Sequence, residues 1–164
     1  MITPEPLTPA AFAPFGDVLD TAGDPDRLIN AGLCGRWHDR ARLDFGPGGR
    51  PGISLFRSDH RTLPLSIDLL ERHPLGSQAF IPMTPDPFLV VVAEDEGDRP
   101  AHIRAFLTAP GQGVNLLRNC WHGVLTPLAP PGLFAVIDRI APPGEDPAAN
   151  LEEYRLPAPL PRIG

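Results

Sequence analysis

At 164 residues, with 42% hydrophobic and 21% charged residues, the chain has the size and composition of one globular domain with an apolar core of its own. Its Pro 23 and Gly 16 argue against a helical bundle, because proline inside a helix removes a hydrogen bond and clashes with the preceding turn. All 14 basic residues are Arg, which excludes any Schiff-base lysine or Walker-type phosphate loop, and a net charge of -6 argues against a nucleic-acid partner.

In chain order, the first expected element is a short helical piece over residues 8–15, with Thr8 as cap and Pro9 at the first helical position. Short strands are expected at 52–57, 78–83, 87–93, 103–107, 113–117, 121–125 and 133–140, separated by turn signals such as Pro85-Asp86-Pro87 and Glu96-Gly97-Asp98. A second helical piece is expected at 65–72, with Leu65, Leu69 and Leu70 facing inward. The apolar run from Phe88 to Ala93 has the pattern of a strand buried on both faces. The expected class is therefore all-β, an antiparallel sandwich or barrel with one or two short helices, rather than alternating βαβ units. No boundary divides the chain, so 1–164 reads as one domain, with a Pro-rich tail from about residue 144 wrapping the surface. Two cysteines, Cys34 and Cys120, are too few for a disulfide framework. With no leader pattern and no long apolar run, the expected compartment is the cytoplasm, without membrane contact.

Two constellations carry the polar chemistry. In the first, an extended Glu71-Arg72-His73 puts Glu71 and His73 on one face and Arg72 on the other, with Gln78 opening the next strand. Converging carboxylate, imidazole and amide oxygen suit a divalent ion or a polar substrate cage; alternatively Glu71 and Arg72 cap a helix end and His73 packs on Pro74. The second holds Asn115, Arg118, Asn119, Trp121 and His122 after a Gly111-Gln112-Gly113 turn. Extension there places Arg118, Cys120 and His122 on one face; Asn119 alternatively only closes a turn, and Trp121 belongs to the core. Cys120 beside His122 lacks a third group to orient the imidazole, which disfavours a thiol nucleophile. Asp138, on the last long strand, is a candidate site carboxylate because an interior carboxylate needs a partner. Arg27, Asn30, Arg36 and His38 either reach into a barrel mouth or lie at the surface, for instance as an Arg36 to Asp39 ion pair.

The stretches 70–83, 88–93, 111–115 and 118–122, joined by 14–18, 29–32 and 137–139, closely resemble the ureidoglycolate lyase family in the same order along nearly the whole chain. The resemblance implies a cupin-type antiparallel β-barrel or jelly roll. It also implies a carbon–nitrogen lyase that splits (S)-ureidoglycolate into glyoxylate and urea, late in purine and allantoin breakdown. Cupins usually bind a metal through an HxH…E motif and a later His; here Glu71 takes the place of the first His, Gln78 stands at the Glu position and His122 at the later His. No cofactor is therefore certain: Glu71, His73, Gln78 and His122 either hold Mn²⁺, Ni²⁺ or Zn²⁺ or bind the substrate directly. For the reaction, His73 or His122 is expected to move the hydroxyl proton with Glu71 as partner. Arg72 or Arg118 is expected to clamp the carboxylate, and Gln78, Asn115 and Asn119 to bind the urea amide, with Trp121 and Asp138 lining the site. Another small-carboxylate hydrolase or isomerase, or a binding cupin without catalysis, is the alternative. A homodimer is expected from exposed barrel edges and from the resemblance.

Overall fold

The computed structural model describes residues 1–164. Its first part contains β1 (Glu5–Pro6), α1 (Pro9–Phe12), β2 (Gly16–Leu19), β3 (Arg27–Ile29), β4 (Cys34–Arg36) and β5 (Arg50–Arg57). The middle carries β6 (Leu65–Ser66), β7 (Leu69–Arg72), β8 (Gln78–Pro82), β9 (Phe88–Asp95), β10 (Pro100–Leu107) and β11 (Gly113–Leu116). The rest is β12 (Trp121–His122), β13 (Thr126–Pro127), β14 (Leu133–Ile140), a 3₁₀ turn at Pro147–Asn150, β15 (Glu152–Arg155) and β16 (Arg162–Ile163).

Two sheets face each other. One has the order β1-β10-β9-β12-β7-β15, with β13 continuing along β9; the other has β2-β11-β8-β14-β5. Because side chains alternate across each strand, register decides which residues meet. Val92 and Val90 of the first sheet share an interior with Phe80, Val114, Leu116, Phe134 and Val136 of the second, closed at one end by Phe12, Phe15 and Phe106. The opposite side of β9, Leu89, Val91 and Ala93, lies in a second apolar layer with Leu70, Trp121, Ile67 and Ile163. Burial on both faces explains the unbroken apolar run of this strand. The architecture is all-β and compatible with a cupin-type sandwich or barrel.

Thr8 caps α1 as its position implies, accepting a hydrogen bond from the Ala11 N–H at 3.3 Å. The second expected helix is not formed: residues 65–72 are β6 and β7. The spacing of Leu65, Leu69 and Leu70 suits a helix, but in β7 burial alternates from residue to residue. The ladder that holds β7 extended comes from far away in the chain, pairing Glu152–Arg155 on one side and His122 on the other. The 121–125 strand is also shorter than expected. After His122 the chain leaves the ladder, with only the Gly123 N–H bonding Val91 O, and rejoins β9 at Thr126. Much of the tail is pinned rather than draped: β15 extends the first sheet, β16 pairs β6, and Ile163 is fully buried.

Phe106 is fully buried and meets Phe12 edge-on at 5.4 Å. Phe106→Ala is expected to cost about 3–5 kcal/mol through lost transfer energy and the cavity left behind. Urea denaturation of the two proteins measures it.

Candidate active site

β7 is the element that builds the site. Its pleat sends Glu71 and, one residue beyond its end, His73 towards the interior, while Arg72 points outward. β12 lies beside it with His122 directly opposite Glu71 and opposite Val92 of β9, so His122 shares the inner face. The turn preceding β12 is closed by Asn119, whose φ is 65° and whose N–H donates to His73 O at 2.9 Å. One ligand atom each from Glu71, His73 and His122 lies within 4.8 Å of the others, and the two imidazoles are 5.3 Å apart.

From the facing sheet, Gln78 and Asp138 occupy paired positions on β8 and β14. Gln78 Oε1 lies 3.2 Å from His73 Nε2, and its amide N–H donates to Asp138 Oδ2 at 3.3 Å. The other His73 nitrogen, Nδ1, is 2.8 Å from Asn150 O, a carbonyl that can only accept, so Nδ1 carries a proton. The Gln78 amide is held in this orientation by its own donation to Asp138, since turning it over would set two acceptor oxygens against each other, so Oε1 is presented to His73 Nε2. His73 thus has a polar partner at each ring nitrogen.

His122 is the opposite case. Its Nδ1 donates to Gly123 O at 3.0 Å, while Nε2 is buried with no partner. Phe80, Val114, Leu116 and Leu125 line the apolar space behind it. Burial, reinforced by the neighbouring His73, pushes its pKa down to about 4, so the ring is neutral with a lone pair at Nε2. Burial raises the Glu71 carboxyl above its ordinary range, opposed by His73 and assisted by Glu153 across the ladder. Cys120 is pushed up to about 12 by burial alone, which keeps its thiol protonated and unreactive.

A cleft of about 600 Å³ reaches His73 and Asp138 from outside, under an arch formed by residues 141–151. The arch is fastened by Arg139, whose guanidinium pairs with Glu145 and donates to Phe45 O and Pro47 O while its side chain is 2% exposed. Of the adjacent Asp138 and Arg139, the carboxylate therefore faces the site and the cation leaves it.

Several expected site residues have other partners. Arg72 is on the outer face, bonded to Glu152, Asp95 and Asp98 and stacked 4.4 Å over Trp121, with 6% of its side chain exposed. Its donors are committed to these carboxylates, so it offers no clamp for a substrate. Trp121 shares that outer face and donates from Nε1 to Asp95. Asn115 pairs with Ala79 on the outer side of the second sheet, donating to Asp17 and to Arg42 O. Arg118 is partly exposed and held only by Asp44, at 2.7 Å. Arg27, Asn30 and Arg36 belong to the exposed β3–β4 ribbon, and Arg36 meets His38 rather than Asp39. Asn150 and Glu145 carry no motif that marks them as site residues. The Asp146-Pro147 sequence signals a capped turn, but no local pattern says that this turn lands on His73.

The folded state resists a proton on His122 that the unfolded chain accepts near pH 6.5. This contribution to stability is intact at pH 7, is lost as pH falls from about 6.5 towards 4, and amounts to about 3 kcal/mol. The raised Glu71 carboxyl acts with the opposite sign, since the fold binds its proton more readily. His122→Gln is expected to remove most of the acid-side loss, read as the difference in urea-unfolding free energy between pH 7 and pH 4.5. An unchanged difference would assign the loss to other groups.

Comparison with known proteins finds a match to the ureidoglycolate lyase family model over residues 1–161. A ureidoglycolate lyase of Rhodobacter capsulatus is 67% identical over 95% of this chain and 94% of its own length. One of Mesorhizobium japonicum is 53% identical over 94% of this chain and 93% of its own, and ureidoglycolate lyase 2 of Rhizobium meliloti is 50% identical over 94% and 92%.

Proposed function

Because the chain belongs to the ureidoglycolate lyase family, we propose that it cleaves (S)-ureidoglycolate to glyoxylate and urea, a late step in purine and allantoin breakdown carried out in the cytoplasm. The observation that supports this most is the inward cluster of Glu71, His73 and His122, with one neutral, unpartnered imidazole and one that has a polar partner at each nitrogen.

The substrate carbon carries a hydroxyl, a carboxylate and the ureido nitrogen. Neutral His122 takes the hydroxyl proton at Nε2. As the C=O of glyoxylate forms, the C–N bond breaks and its electron pair goes to nitrogen, which receives a proton from His73 Nε2–H. Glu71, within reach of both rings and with its proton affinity raised, returns the proton from His122 to His73 and resets the pair. Gln78, between His73 and Asp138, is placed to bind the urea amide. Of the two arginines expected at the carboxylate, Arg118 is the one with donors to spare. No lysine and no covalent intermediate is needed.

The donor set also fits a borderline divalent ion. A carboxylate and two imidazoles present ligand atoms within 4.8 Å, and the buried, otherwise partnerless His122 Nε2 is suited to a metal bond, a role alternative to that of base because its one lone pair serves only one of them. Glu71, His73 and His122, with Gln78 alongside, would hold Mn²⁺, Ni²⁺ or Zn²⁺, and the ion would supply Lewis-acid polarisation of the substrate oxygens.

The direct test follows urea and glyoxylate released from racemic ureidoglycolate, before and after chelation, with metal analysis of the same protein. Both products are expected in equal amounts, with His122→Ala and His73→Ala each about 10²–10⁴ slower. Wild-type turnover in both variants would overturn the assignment, and ammonia in place of urea would indicate an amidohydrolase.

The molecule is proposed to work as a homodimer. Ile53 and Leu55, 75% and 68% exposed on the edge strand β5, continue through Ile81 into an apolar outer face of the second sheet. No helix or loop of the chain covers them, and an isologous contact would bury the same residues on both copies while sheltering the open strand edge. Leu55→Glu is expected to turn a sedimenting dimer into a monomer; a wild-type monomer would rule the contact out.

A further inference from the structure

Asn150 sits between two parts of the chain with separate tasks. Its backbone carbonyl accepts from His73 Nδ1 at 2.8 Å, and its side-chain Oδ1 accepts from the Leu75 N–H at 2.7 Å. The residue therefore grips the His73–Leu75 segment from both ends, just beyond the ladder in which Glu152 pairs with Arg72 and Glu153 with Glu71. Its own position is fixed by the 3₁₀ turn that it ends. Asp146 caps that turn, accepting from the Ala148 N–H at 2.9 Å, and Leu151 N bonds Ala148 O at 3.2 Å. The Arg139 to Glu145 pair fastens the arch one step further back.

We propose that Asn150 is a positioning residue of the active site: its carbonyl fixes the proton of His73 on Nδ1, and its side chain fixes the carbonyl. This rests on the reading of His73 as a working residue in ureidoglycolate cleavage. The physical reason lies in the two nitrogens of imidazole, since the hydrogen bond made by one decides what the other presents. A carbonyl at Nδ1 keeps that nitrogen a donor whether the ring is neutral or charged, so exchange of protons with the site passes through Nε2. Nε2 is the nitrogen that faces Gln78. Without the Leu75 N–H to Oδ1 bond the carbonyl loses its fixed direction, and neutral His73 is free to hold its one proton on Nε2, a form that is too weak an acid to give that proton up and that has no lone pair there to take one back from Glu71.

The test reads the tautomer directly, in the free protein, by long-range ¹H–¹⁵N correlation of the histidine rings at a pH where His73 is neutral, its signals assigned by their loss in His73→Gln. Wild type is expected to show the Nδ1–H form. Asn150→Ala is expected to shift it towards Nε2–H and to lower kcat about 10–100-fold, with KM within about twofold. Asn150→Asp keeps an acceptor for the Leu75 N–H and is expected to restore both the tautomer and most of kcat. Should Asn150→Ala fail to fold, Asn150→Ser, whose hydroxyl is too short to span to Leu75, takes its place. Nδ1–H retained with wild-type kcat in the Ala or Ser variant would overturn the proposal, as would loss in the Asp variant equal to that in Ala. A wild-type protein that released no urea or glyoxylate would instead defeat the proposed reaction, and the ring spectra would still decide what Asn150 does to His73.

Discussion

The site depends on an ion cluster that lies outside it. Arg72, nearly buried, is bonded to Glu152 of β15 and Asp95 of β9, reaches Asp98 beyond that strand, and stacks on Trp121 of β12. These are the strands that flank β7 or lie one place further in the sheet. A buried guanidinium is costly unless its donors are answered, and answering them here draws together carboxylates from distant parts of the chain. The same register that lets Glu152 and Trp121 meet Arg72 on the outer face sets Glu71 opposite His122 on the inner one. Two neighbouring charges in sequence thus divide the labour, one ordering the sheet and the other facing the two histidines.

Inside, desolvation does most of the chemistry of preparation. Glu71, His73 and His122 are close enough to interact, yet burial favours the neutral form of both Glu71 and His122. His73 differs because both its nitrogens have polar neighbours, supplied by Asn150, Gln78 and, one step back, Asp138. A pair of like rings is made unequal by what surrounds them, which is the condition for one to accept a proton while the other gives one.

The parts legible in the sequence were those set by local alternation and by residue type. The period of two in residues 71–73 correctly separates Glu71 and His73 from Arg72, the run through β9 reads as a strand buried on both faces, and Thr8 with Pro9 marks a helix start. What the sequence hid were partners brought in from a distance. Arg72 reads as a substrate clamp until Glu152 and Asp98 appear beside it, and nothing near residue 72 announces residue 152. Residues 65–72 carry a helix-like spacing that the ladder with β15 overrules. Asn115 looks like a site amide from its neighbours, but β11 turns it to the far side of its sheet, where it serves Asp17. Asn150 gives no signal at all, because its contribution to His73 is a backbone carbonyl, which every residue has.

The pairing of β7 with β15 also orders events in time. A nascent chain leaves the ribosome with residues 71–73 long before 150–155, and the ladder joining them spans about half the sequence. During that interval His73 and Glu71 exist without their strand partner and without the Asn150 carbonyl, so a partly synthesised chain holds the reactive side chains but no working arrangement of them. Vectorial synthesis therefore delays the chemistry until the tail has docked, and any cut that frees residues 141–155 from an otherwise folded molecule would return it to that incomplete state.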